Sequence, residues 1–133
     1  MVDWADKESA RLVAIHGAVP PLWYSFPGEH PYSMCWRMGA GEGYVMLWGE
    51  WWDAQAFDED QRIAYFRRWP PPACWLEWML CHVWDIRPWE VGDEFDYDPY
   101  FARLESLGFG SKQDYEKDLE DPRWLQLPLP DNN

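Results

Sequence analysis

The sequence predicts an all-α fold, a single domain of five or six helices around a central apolar helix over residues 72–85. Apolar residues recur at spacings of three and four in several segments, and no alternating pattern of a strand is longer than four residues. The 12 prolines lie mostly between those segments, where they interrupt helices. We therefore expect a helical domain over residues 1–124 with long proline-rich connections, followed by a proline-rich tail over residues 125–133.

The first predicted helix covers residues 3–16, where Trp4, Arg11, Leu12 and Ile15 recur at helical spacing. After a proline-rich stretch, a short extended piece at residues 33–38 and a glycine turn at residues 39–43 precede a second helix over residues 44–55. The inward face of this helix follows helical spacing: Tyr44, Leu47, Trp48, Trp51 and Trp52. Gly49 lies inside that helix, and we expect a neighbouring helix or ring to approach closely there.

The later helices are predicted mainly from their ends. Acidic residues open a third helix over residues 58–69 and arginines close it, which suits the helix dipole. The helix over residues 72–85 is apolar on nearly every side and carries Trp75, Trp78 and Trp84, so it is predicted to be central. Asp98 is predicted to cap a fifth helix that ends near residue 107, and Ser111 a sixth that ends near residue 120.

The net charge of the chain distinguishes between possible classes of partner. The chain has 24 acidic and 11 basic residues, a net charge of −13 at pH 7, which argues against nucleic acid and anionic membranes and favours a basic protein. Residues 85–133 hold 13 of the acids and 5 of the bases, so a basic partner is expected to dock there. Solubility alone also explains an acidic composition, and this alternative stays open.

Several features predict a cytoplasmic protein without a cofactor or metal. No signal peptide is visible, and the longest apolar stretch, residues 73–86, is too short and too charged to span a bilayer. The 3 cysteines form no CxxC motif, which favours free thiols in a reducing compartment. The acidic run at residues 93–98 does not match a calcium loop, because Phe101 and Leu107 occupy its required glycine and glutamate positions.

The first functional hypothesis is a binding protein. The 12 tryptophans supply aromatic anchors, and the acidic charge would speed association with a basic partner. We expect an acidic protein that sequesters a basic protein, in concrete form a bacterial immunity protein that neutralises a cationic toxin. The candidate contact residues are Trp89, Asp93, Glu94, Asp96, Tyr97, Asp98 and Tyr100. The sequence contains no nucleophile–base motif that would indicate an enzyme.

The second hypothesis is a small-molecule or carbohydrate-binding domain, or a small hydrolase, with a tryptophan-lined cleft and Glu42 or Glu77 as its carboxylate. Its candidate residues are Trp36, Arg37, Glu42, Trp48, Trp51, Glu77 and His82, with Trp23 and Trp75 as further lining rings. The structural alternative for Glu77 is an ion pair, with Arg37 as the candidate partner. His82 shares a helix face with Trp75 and Trp78, where a core role is the commoner one.

A third hypothesis is a homodimer joined through a self-complementary patch of exposed tryptophans. The sequence does not separate this arrangement from a complex with a different protein.

Overall fold

The computed structural model describes residues 4–125, with side chains through Arg123, and every regular element in that range is a helix. The all-α prediction is therefore confirmed for this part of the chain. The chain divides into two compact units, Met1–Pro70 and Pro71–Asn133, with the boundary inside the run of three prolines. The single-domain organisation stays a prediction, and the predicted tail lies almost entirely outside the described residues.

The described part of the first unit, from residue 4 onward, contains four α-helices and one short 3₁₀-helix: α1 (Trp4–His16), α2 (Leu22–Ser25), the 3₁₀-helix Met34–Arg37, α3 (Gly39–Gln55) and α4 (Glu59–Arg68). Helix α4 begins as the sequence predicts. The Asp58 carboxylate accepts a hydrogen bond from the Gln61 backbone N–H at 2.8 Å, and the Gln61 side chain accepts one from the Asp58 N–H at 2.9 Å. This reciprocal cap fixes the start of the helix.

The apolar residues whose spacing predicts α1 are not all buried. Leu12 is buried, but the side chains of Trp4 and Ile15 are 59% and 60% exposed. Helical spacing places the three residues on one side, yet only part of that side meets α3, against which α1 packs. Apolar residues supply much of any protein surface, so periodicity alone does not mark burial.

The segment before α3 also differs from the prediction. Residues 34–37 form a 3₁₀-helix rather than an extended piece, and the Ser33 hydroxyl caps it by accepting the Cys35 N–H at 3.1 Å. The glycines at residues 39–43 form the first turns of α3 instead of a separate turn. The close approach expected at Gly49 occurs at Gly41, which packs on the Cys35 backbone, while Gly49 faces open space.

Buried tyrosine hydroxyls explain how an irregular segment lies inside the first unit. The carbonyl oxygens of Val19 and Pro20 accept hydrogen bonds from Tyr65 and Tyr44, both at 2.6 Å. The Trp23 indole donates to the Trp69 carbonyl at 3.2 Å. Burial raises the pKa of Tyr44 to about 12, so its hydroxyl keeps the donated proton at neutral pH. Carbonyl oxygens of this irregular segment thus have side-chain donors in place of the partners of a regular helix.

Between residues 71 and 125, the second unit contains a short 3₁₀-helix and five α-helices: Ala73–Trp75, then α5 (Leu76–Val83), α6 (Pro88–Val91), α7 (Asp98–Ser106), α8 (Lys112–Leu119) and α9 (Pro122–Leu125). Helix α5 packs on α7 and α8. The predicted helix over residues 72–85 is shorter and begins as a 3₁₀ turn. Its buried tryptophan is Trp75, whereas Trp78 and Trp84 are half-buried.

The two predicted caps in this unit have different outcomes. Ser111 caps α8, because its hydroxyl accepts the Asp114 N–H at 3.0 Å and the Asp114 carboxylate accepts the Ser111 N–H at 3.2 Å. Asp98 is wrong as a cap. It is the first residue of α7, and its carboxylate pairs with the Lys112 ammonium at 2.5 Å.

The Ser111 cap gives a direct stability test. Ser111→Ala should lower the free energy of unfolding by about 1 kcal/mol, because the Asp114 N–H loses its acceptor. Ser106→Ala is the control, since this exposed serine donates only to the Arg103 carbonyl and its loss should change stability by less than about 0.5 kcal/mol. Urea denaturation followed by circular dichroism measures both. Equal midpoints for the two variants would show that the cap contributes nothing.

Candidate functional site

The acidic aromatic segment, residues 89–100, extends from α6 into the first turn of α7. The Trp89 side chain in α6 is 80% exposed, the largest exposed fraction among the large apolar side chains of the described residues. The Trp89 ring is shielded from water in this position only when a partner covers it. The segment is therefore a candidate binding surface.

Four rings of the second unit form a continuous set, which we call the aromatic cluster: Trp84, Phe95, Tyr97 and Tyr100. The centroid of Tyr100 lies 5.5 Å from that of Trp84 and 5.9 Å from that of Phe95, and Tyr97 lies 4.9 Å from Phe95. All four side chains are half-buried. The structure thus brings the predicted Tyr97 and Tyr100 together. Within the described residues, Trp89 makes no ring contact with them.

The predicted acidic residues of the segment are all exposed. Asp98 pairs with Lys112, and this hydrogen bond raises the pKa of the lysine above its ordinary value. Asp96 accepts the Asp98 backbone N–H at 3.0 Å. Asp93 and Glu94 form no ion pair with any residue between 4 and 123. Most of the negative charge of this segment therefore faces solvent.

The residues of the alternative ligand site in the first unit do not share one environment. Trp48 is 1% exposed, donates to the Tyr65 hydroxyl at 2.9 Å and stacks on Trp52 at 4.9 Å, so it belongs to the core. Trp51 is half-buried beside the same Tyr65 ring. Trp36 packs instead on Phe26, and Arg37 and Glu42 are exposed. Trp23, the further lining ring in this unit, is buried.

Glu77 and His82 belong to the second unit. The half-buried Glu77 carboxylate accepts a hydrogen bond from the Tyr115 hydroxyl at 3.0 Å, a partner that sequence spacing does not reveal. Arg37 belongs to the first unit, and its ion pair with Glu77 stays a prediction. The His82 Nδ1 lies 2.8 Å from the Trp78 carbonyl oxygen, and its ring lies 4.0 Å from the Trp78 ring. His82 is half-buried and contacts a residue of its own helix, and its core role stays a prediction.

The cysteines are free, as predicted, and are not activated nucleophiles. Cys74 and Cys81 are buried, whereas Cys35 is half-buried. Burial raises the pKa of Cys74 and of Cys81 to about 12, and it also raises the pKa of Cys35. All three thiols are protonated at neutral pH, and a thiol in that form is a poor nucleophile and metal ligand.

The described residues contain neither a cluster of metal-binding side chains nor a membrane-spanning helix. Between residues 4 and 123, no three His, Cys, Asp or Glu side chains are grouped so that they could hold a metal ion. None of the helices described above has the length and apolar character needed to cross a membrane.

No protein-family model matches this sequence, and no curated protein or solved structure matches it either. The assignment of the candidate site therefore depends on the geometry and charge of its residues.

Proposed function

We propose that this chain is an acidic, tryptophan-rich binding protein that sequesters a basic protein through the acidic aromatic segment. Its concrete form is a bacterial immunity protein that neutralises a cationic toxin in the cytoplasm. One observation carries the proposal, namely that Trp89, 80% exposed, lies in the same short segment as the exposed carboxylates at residues 93–98.

Each half of this surface has a distinct physical role. Exposed carboxylates attract a basic partner from a distance and accelerate the encounter. Aromatic side chains supply the contacts that keep the complex together once water is excluded. The second unit concentrates this charge, with 14 acidic and 5 basic residues between positions 71 and 133.

The ligand-binding or hydrolase alternative has weaker support. Its rings Trp23, Trp48 and Trp75 are buried, and the Trp48 N–H already has the Tyr65 hydroxyl as its acceptor. Side chains in these positions fill a core rather than line an open cleft. We also propose that α5 is the central helix of the second unit, which its packing on α7 and α8 supports.

The test removes charge from the segment without removing volume. Asp93, Asp96 and Asp98 changed together to asparagine should slow association with a basic partner about tenfold at low salt. Stability should change little, because asparagine at position 96 can still accept the Asp98 N–H and the lost Asp98–Lys112 pair is exposed. The matched control removes three exposed carboxylates from α3, by Glu42→Gln, Glu50→Gln and Asp53→Asn.

The partner is isolated first, by capture from host lysate at low and high salt followed by mass spectrometry, and stopped-flow kinetics then compares the variants. The proposal expects one basic protein that high salt releases. Capture of no basic protein contradicts the sequestering function and favours the ligand-site alternative. Equal slowing by the two triple variants contradicts the segment as the docking surface, since net charge alone would then explain the rate.

A further inference from the structure

The aromatic cluster combines open ring surface with negative charge. Its three ring contacts run in sequence from Trp84 to Tyr100, Phe95 and Tyr97, with the Phe95 and Tyr100 planes only 21° apart. Each side chain is half-buried, so part of each ring surface is open to solvent. Stacked rings present negatively polarised faces, which attract cations.

The protein itself places a guanidinium on this cluster. The Cζ atom of Arg103 lies 4.7 Å from the centroid of the Trp84 ring, within the range of a cation–π contact. Arg103 follows Tyr100 by three residues in α7, so both side chains lie on one side of that helix. The intramolecular contact is an example of a guanidinium on one ring of the cluster, Trp84.

Exposed carboxylates lie next to the cluster in the chain. Asp93, Glu94 and Asp96 are exposed and flank Phe95 in the chain. Burial raises the pKa of the Tyr97 hydroxyl, and the nearby Cys81 and Glu77 raise it further. Charge complementarity therefore favours a cationic occupant over an apolar one.

We propose that the aromatic cluster receives an arginine side chain of the basic partner. The inference rests on the proposed function and adds the chemistry of the anchor. A guanidinium is planar, stacks on aromatic faces and forks to carboxylates, whereas a lysine ammonium is a strongly hydrated point charge. The arginine would pack on the solvent-exposed parts of Phe95 and Tyr100 and direct its N–H groups to the adjacent acids.

The test uses fluorescent hexapeptides of arginine, lysine or citrulline, the last a neutral isostere of arginine, with the full chain. Fluorescence anisotropy at low and physiological salt measures their affinities. The arginine peptide should bind about two- to fivefold more tightly than the lysine peptide, the range of a cation–π contact at an exposed site. The citrulline peptide should bind more weakly than both.

Two variants remove one ring each, Phe95→Leu and Tyr100→Leu, so that a folding defect in one leaves the other as a test. Either change should abolish the preference for arginine over lysine. The control, Tyr32→Leu, removes an aromatic side chain of the first unit that is 66% exposed and should keep the preference. Circular dichroism verifies that each variant is folded.

The outcomes separate this inference from the function on which it rests. Equal binding of arginine and lysine peptides, weakened for both by the asparagine triple variant, would overturn the arginine site and keep the acidic docking surface. A preference for arginine that survives both ring variants would place the guanidinium elsewhere and also overturn the inference. Binding of neither peptide, or binding that the asparagine variant leaves unchanged, would contradict the proposed function as well.

Discussion

Trp48→Ala will lower the free energy of unfolding by about 3–5 kcal/mol, the usual cost of deleting a large aromatic side chain from a core. The ring is 1% exposed and stacks on Trp52 with its centroid 4.9 Å away, so an alanine leaves a cavity that its neighbours fill only in part. The change also removes the indole N–H that Tyr65 accepts at 2.9 Å. Thermal and urea denaturation followed by circular dichroism measure the loss.

Trp89→Ala is the matched control, because it deletes the same side chain from a position that is 80% exposed. Its free energy of unfolding should stay within about 0.5 kcal/mol of the original protein. Its association with the basic partner should weaken, since Trp89 lies in the proposed docking segment. Similar melting temperatures for the two variants would contradict the division of the tryptophans into core and surface.

The helices could be predicted because their ends carry local signals. Capping residues and dipole-compatible charges lie within one turn of a helix end, and this is why the starts at Asp58 and Ser111 are confirmed. The prediction fails where a tertiary contact determines the local conformation. Residues 34–37 form a 3₁₀-helix that packs closely on α3 at Gly41, a contact that spacing along the chain does not encode.

Burial of individual tryptophans could not be predicted for the same reason. The spacing of apolar residues shows which side of a helix faces the protein interior, but it does not show how much of that side a neighbouring element covers. Trp75 and Trp78 both suit the apolar face of the predicted fourth helix, and the structure buries Trp75 while it leaves Trp78 half-buried. Large aromatic side chains give almost identical sequence signals in both environments.

The candidate site was only partly predictable. The acids and tyrosines of residues 93–100 stand out by composition, and the structure leaves those acids exposed and joins Tyr97 and Tyr100. Trp84 and Phe95 complete the cluster. Phe95 had a visible signal, as one of three aromatics within six residues, whereas Trp84 is 16 positions before Tyr100 and reaches it only through the fold. The same holds for Tyr115, the partner of Glu77.

Gly41→Ala will destabilise the protein, although alanine is the better helix former. A Cβ atom at this position in α3 would lie 2.0 Å from the Cys35 carbonyl oxygen and 2.7 Å from the Cys35 carbonyl carbon. Both are backbone atoms, so relief requires the 3₁₀-helix Met34–Arg37 and α3 to move apart. Overpacking of a close contact costs about 1–3 kcal/mol, and an overlap with rigid backbone belongs at the upper end of that range.

Gly49→Ala, in the same helix, should have the opposite sign. No atom lies within 4 Å of the Cβ position at Gly49, so the substitution meets no obstacle. Replacing glycine by alanine inside a helix stabilises it by about 0.5–1 kcal/mol, because the unfolded chain has less conformational freedom to lose. The same gain offsets part of the steric cost at Gly41, which leaves a net loss of about 2 kcal/mol there.

The difference between the two alanine variants isolates the contact with Cys35, because propensity and side-chain size are identical at both positions. Their melting temperatures should move in opposite directions from that of the original protein, and the two should lie several degrees apart, as a difference of about 2–3 kcal/mol requires in a chain of this size. A stabilised Gly41→Ala variant would mean that α3 does not pack on the Cys35 backbone. The position of the 3₁₀-helix, and of Trp36 within it, would then have to be different.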